Sequence, residues 1–217
     1  MDIQERLTAF ALLGATWVMW LLVGLSVISV GIVLERAYYY LASSDDFRKL
    51  RDDLVPLLKK GDLKGAATRL KQSRSFEAKV LEAGLERADG GALAAEEAMV
   101  GASQQAKLSM ERNLAFLGTM GNNAPFVGLL GTVIGIIGAF HELNETQGKL
   151  SDTLMAEVGE ALVATAIGIL VALPAVAFFN YFQRVIKGRL AQAETLRHGL
   201  LAHLKSDPTA GQPSAAE

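Results

Sequence analysis

The chain has 217 residues, a formal net charge of −2, 51% hydrophobic and 20% charged residues, and a mean hydropathy of +0.28. It has no cysteine, which excludes disulfide frameworks, thiolate zinc sites and thiol catalysis. No basic stripe marks a nucleic-acid surface. Charge is absent from three stretches, 7–34, 113–140 and 161–183, each long enough for the roughly 20 apolar residues that cross a bilayer core.

Residues 1–12 form a short N-terminus. The start Met-Asp-Ile-Gln-Glu-Arg mixes acidic and basic groups, and the apolar run behind it is longer than the core of a cleavable signal. That run reads as a first span over 13–36, retained in the mature protein. Trp17 and Trp20 anchor its outer half, and Tyr38, Tyr39 and Tyr40 its inner interface.

The segment 37–112 is too polar for lipid and reads as helical, with Pro56 as its one proline and Gly90-Gly91 as its clearest break. From Glu96, the series Met99, Ala102, Ala106, Met110, Leu114 and Leu117 keeps helical spacing. It predicts a helix running unbroken into the second span, over 113–140. A loop at 141–157 leads to a third span at 158–182. Ile186, Leu190, Ala193, Leu200 and Leu204 give that span an amphipathic extension over 183–207, and the tail 208–217 reads as disordered.

Lys and Arg near span ends set orientation. Arg36, Arg48, Lys49, Arg51, Lys107, Arg112, Arg184, Lys187, Arg189 and Arg197 lie on one side, against Arg6 and Lys149 on the other. This places the N-terminus and the 141–157 loop outside, and the 37–112 segment and the C-terminus in the cytoplasm.

The second and third spans carry the informative residues. Gly128, Gly131, Gly135 and Gly138 leave one surface of the second span nearly flat, and Ala161, Thr165, Gly168 and Ala172 make a similar stripe on the third. Small residues let helix backbones approach in lipid, so packing alone is one reading of these stripes. Thr132 and Thr165 have two readings: back-bonding to their own helices, or lining a narrow polar path. Glu160 also has two. A carboxylate within a span is by default a functional hypothesis, whereas an acid at a helix start is stabilised by the helix dipole, with Asp152 and Glu157 as ordinary loop neighbours. At 3.6 residues per turn, Glu160 and Thr165 stand about 140° apart. Pro125 and Pro174 interrupt the spans as bends, which neighbouring helices make tolerable. His141, His198 and His203 read as interfacial or solvated. No enzyme site, phosphate loop or metal-ligand pattern is present.

The stretch APFVGLLGTVIG (124–135) resembles the APxxGLxGTVxG motif of the TolQ/ExbB/MotA proton-channel family. The stretch EALVATAIG (160–168), followed by Pro174-Ala-Val and Asn180, resembles EALxATAxGLxxAxPAVxxYN. One departure is Phe179 for the family's Tyr, which puts one small polar contact in question. The match is specific over about residues 100–185, and the three-span layout resembles the TolQ and ExbB branch more than four-span MotA.

The resemblance implies an all-α integral protein of the bacterial inner membrane, with three transmembrane helices and long cytoplasmic helical extensions, assembled as a homopentameric ring. The ring would surround two copies of a single-span partner of the TolR/ExbD/MotB kind, which carries the protonatable aspartate. Thr132, Thr165 and Glu160 would line the proton path. Gly128, Gly131, Gly135 and Gly168, with Pro125 and Pro174, would shape and pack the helices. The implied function is a stator subunit coupling proton flow to work on the periplasm or outer membrane in a Tol-Pal, TonB-type or gliding system, without enzyme activity and with protons in place of a cofactor. The alternative is an oligomeric membrane scaffold that conducts nothing. A substrate transporter lacks the inverted repeat that builds a midplane site.

Overall fold

The computed structural model describes residues 14–43, 45–147 and 149–206. The expectations for segments 1–12 and 208–217 lie outside these described residues. Every regular element among them is helical: α1 (Thr16–Ala42), α2 (Phe47–Lys59), α3 (Leu63–Lys71), α4 (Phe76–Glu86), α5 (Gly91–Glu111), α6 (Leu114–Glu145) and α7 (Asp152–Ser206), with a 3-10 turn at Ala88–Gly90. Three of them, α1, α6 and α7, are long and apolar enough to cross a membrane. The described chain divides into two compact units, one of residues 14–34 and 113–181, the other of 35–112 and 182–206.

In the first unit, α1 packs on α6 and α7 through Ala15, Val18 and Leu22, which cluster with Met120, Ala124, Ile134, Val171 and Ala172. Large apolar side chains on the other faces are bare, Trp20, Leu162, Leu170 and Leu173 among them. That distribution suits helices whose outer surface meets lipid or another subunit rather than water.

The second unit is built from capped amphipathic helices. Asp46 accepts from the Arg48 and Lys49 amides to start α2, Asp62 from Gly65 N at 2.8 Å to start α3, and Ser75 from Ala78 N at 3.2 Å to start α4. Each such cap contributes about 1 kcal/mol by satisfying amides that have no partner in the first turn. Leu50, Leu54 and Leu58 of α2, Leu70 of α3, Val80 and Leu81 of α4 and Met99 of α5 are buried, as are Ile186, Ala193, Leu200 and Leu204 of α7.

Three features depart from the sequence reading. The helix through Met99 and Met110 does not run on into the second span, because it ends at Glu111 and Asn113 takes a left-handed conformation (φ 63°) before α6. Asparagine is among the few residues that tolerate this region. The break leaves carbonyls at the end of α5 without helical donors, and Arg36 and Tyr40 supply them. Arg36 Nη1 donates to Ser109 O at 2.9 Å, and the Tyr40 hydroxyl to Met110 O at 2.8 Å. Tyr40 is therefore buried against Phe182, whereas Tyr38 is exposed. Lastly, the link between α6 and α7 shortens to 146–151.

Glu77 is a buried carboxyl in the second unit. Burial pushes it above the ordinary 4.5, opposed in part by its own backbone amide, the charge of Arg189 and a bond from Ser75. Between the ordinary and the raised value, the folded chain keeps a proton that the unfolded chain has lost. Stability from protonated Glu77 is thus complete below the ordinary value and falls as pH rises through the raised one. Glu77→Gln is expected to raise the melting temperature at neutral pH, to change it little near about pH 4, and to flatten the slope between. Circular-dichroism melts in detergent across that range check this, and parallel slopes for the two proteins would count against it.

Candidate functional site

Within the first unit, α6 and α7 run antiparallel along a row of small residues. A Cβ built on each glycine shows how close the partner lies. On Gly121 it would meet the Val176 side chain and, at 3.0 Å, the Val176 backbone nitrogen. On Gly128 it would lie 2.8 Å from Ala164 O and 3.1 Å from Thr165 Cα. On Gly131 it would lie 2.7 Å from Ala164 Cβ, and on Gly135 2.6 Å from Ala161 Cβ. Gly168 faces back onto Ala124 O and the Gly128 backbone, and Gly118 meets the ring of Phe179. At Gly128 and Gly168 the neighbours are backbone atoms that cannot rotate away. These glycines are the condition for the contact.

The row brings Thr132 and Thr165 together. Their hydroxyls are hydrogen-bonded to each other, and each also reaches a carbonyl on the opposite helix. Thr132 Oγ1 donates to Ala161 O at 3.1 Å and Thr165 Oγ1 to Gly128 O at 3.2 Å. Ala161 and Gly128 are the residues four before Thr165 and Thr132, so each threonine bonds the carbonyl that its partner's back-bond would use. Thr132 keeps a longer own-helix contact to Gly128 O at 3.4 Å, whereas the bond of Thr165 crosses to α6. Two hydroxyl protons are shared among four acceptor oxygens, Gly128 O, Ala161 O and the two Oγ1 atoms themselves. The pair can therefore reverse its direction of donation by rotating hydroxyls alone.

Glu160 stands apart from this pair. Its Oε1 accepts from the hydroxyl of Thr16 at the start of α1, and it lines a cavity of about 290 Å³ with Gly135, Gly138, His141, Glu142 and Glu157. Sequence reasoning missed two participants here. Thr16 carried no signal, being one hydroxyl at the edge of a span. Glu157 reads as a loop residue, yet it lies inside α7 on the face that meets Gly138. The signal was the spacing Glu157, Ala161, Thr165, which holds one helix face. Pro125 and Pro174 lie within continuous helix, away from the hydroxyl pair. Among the described residues no group of His, Cys, Asp and Glu could hold a metal ion.

The MotA/TolQ/ExbB proton channel family matches residues 72–195. The chain is 45% identical over 91 residues to the biopolymer transport protein ExbB of Xanthomonas campestris pv. campestris, covering 42% of this chain and 36% of that protein. It is 43% identical over 84 residues to the ExbB of Pseudomonas putida, with 39% and 26% covered. It is 36% identical over 115 residues to the Tol-Pal system protein TolQ of Pseudomonas aeruginosa, with 53% and 46% covered. Each match spans less than half of the relative's own length.

The glycine contacts make a direct test. Gly128→Ala places a methyl against backbone and is expected to destabilise the first unit by about 1–3 kcal/mol or more, the range for overpacking. Gly31→Ala, where nothing lies within 4 Å, is expected to leave it within about 0.5 kcal/mol. Thermal unfolding of both variants in the same detergent compares them; equal melting temperatures would refute the close approach.

Proposed function

Since the chain belongs to the MotA/TolQ/ExbB proton channel family, we propose that it is the channel-forming stator subunit of a proton-driven motor in the bacterial inner membrane. Its outward work would serve a Tol-Pal-like, TonB-type or gliding system. The observation that carries this reading is the Thr132–Thr165 hydroxyl pair, held between two helices apolar enough to span a bilayer. A hydroxyl pair can accept and pass a hydrogen bond, but it does not store a charge near neutral pH. The protonatable group must come from elsewhere, and a single-span partner carrying an aspartate, as in TolR, ExbD and MotB, supplies it. We place the N-terminus and the 146–151 link outside, and the second unit in the cytoplasm, on the distribution of Lys and Arg. The bare apolar faces of the first unit suit a closed homopentamer around two partner copies.

In this reading, Thr132 and Thr165 line the path beside the partner's carboxyl, and Glu160 stands at its outer end. The close contact of α6 and α7 keeps each subunit rigid while the partner's carboxyl changes its protonation state. The scaffold reading rests on the same row of small residues, and it needs no chemistry from the hydroxyls.

Thr165→Val separates the two readings. Valine matches the shape of threonine without its hydroxyl, and Thr132 keeps both Gly128 O and Ala161 O as acceptors. Fold and ring are expected to survive, with a pentamer and two partner copies by native mass spectrometry. Proton flux in liposomes holding subunit and partner should fall at least about tenfold, the rate cost of roughly one hydrogen bond. Wild-type flux from an intact Thr165→Val ring would return the threonines to packing and favour the scaffold.

A further inference from the structure

The glycine row ends differently from how it runs. At Gly128 and Gly135 the opposing atoms are backbone or alanine, and at Gly131 alanine and valine, but at Gly138 they belong to a carboxylate. A Cβ there would lie 2.8 Å from Glu157 Oε2 and 3.2 Å from Glu157 Cδ. Glu157 occupies the face of α7 that carries Ala161 and Thr165 on its next two turns inward. A carboxylate at a small-residue contact is costly for packing, and Gly138 is what gives it room.

The neighbours of Glu157 each have a partner of their own. In the same cavity, Glu160 accepts from Thr16, Glu142 from Ser151 at 3.2 Å, and His141 pairs with Glu145 at 3.3 Å. Glu157 Oε2, by contrast, is buried and has no hydrogen-bond partner among the described residues. A buried carboxylate oxygen without a partner, on a side chain that lines a cavity, calls for an explanation, and packing does not provide one, since an alanine would fill the position as it does at 161.

We propose that Glu157 is the proton acceptor at the outer mouth of the path, a role that rests on the channel reading above. Its carboxylate takes a proton from hydronium in the cavity, releasing water. The resulting acid then gives that proton to a second carboxylate, the one the partner helix brings, and returns to its charged form. The cavity's other titratable groups, His141 and Glu142 from α6 and Glu160 from α7, face the same space. Gly14 and Ala15, just before α1, line it without adding charge. Glu157 lies eight residues from Thr165, about 12 Å along the helix. It therefore loads the path and does not touch the hydroxyl pair.

The test measures proton flux through the wild-type subunit–partner complex in liposomes, with the outer pH varied. Glu157→Gln keeps size and cannot carry a proton. Flux is expected to drop by about an order of magnitude at alkaline outer pH, where proton capture limits the rate. It should approach wild type at acidic outer pH, and Glu157→Asp should recover part of it. Glu157→Ala, which leaves space beside Gly138, is expected to regain flux on addition of formate, while the wild type does not respond. Should Glu157→Gln not assemble, the formate response of Glu157→Ala decides the matter by itself. Absence of flux in the wild-type complex would overturn the channel reading. Wild-type flux with an unchanged pH profile in Glu157→Gln, or no formate response in Glu157→Ala, would overturn the role of Glu157 and leave the channel reading standing.

Discussion

Helices α6 and α7 touch backbone to backbone at Gly128 and Gly168, and most of what the first unit can do follows from that contact. In lipid, apolar side chains gain little by leaving their surroundings, so helices associate through close packing and through hydrogen bonds that bridge them. The glycines supply the first and also produce the second. Only because the two backbones are so near does each threonine hydroxyl reach a carbonyl of the other helix. A single feature thus holds the pair together and places an uncharged polar spot within an apolar wall.

Much of this was legible in the sequence. Long runs without charge mark helices that water does not solvate well, and glycines and alanines at helical spacing mark the faces that meet. The meeting of Thr132 with Thr165 was less visible. Own-helix back-bonding explains either residue equally well when each is considered singly, and only the register between two helices shows the exchange. Glu160 and Thr165 were separable in advance, because helical geometry points them in different directions, and the structure gives Glu160 to Thr16 instead.

The break before α6 was hidden for a different reason. Neither glycine nor proline marks it, and the apolar spacing continues across it from Met110 to Leu114 and Leu117. Asn113 is the one residue there that accepts a left-handed conformation readily, and a lone asparagine in a polar stretch is a weak sign. Misreading the break hid the capping bonds of Arg36 and Tyr40. Both residue types are common at the edge of a span, where they meet the interface, and both also suit the capping of exposed carbonyls. Which role applies depends on whether a helix end lies beside them, a fact of tertiary structure.

The antiparallel row has a consequence for how such a protein adapts to different membranes. Contacts pair Gly118 with Phe179, Gly121 with Val176 and Gly135 with Ala161, so the register stays constant over more than four turns of helix. Inserting one residue in either helix turns everything beyond it by about 100° and moves every later glycine off its partner. The helices therefore cannot gain or lose length within the row to match a thicker or thinner bilayer. Mismatch has to be absorbed by tilt or by the bilayer itself, or by changes of length outside the contact, at the 146–151 link and at the far ends of the helices.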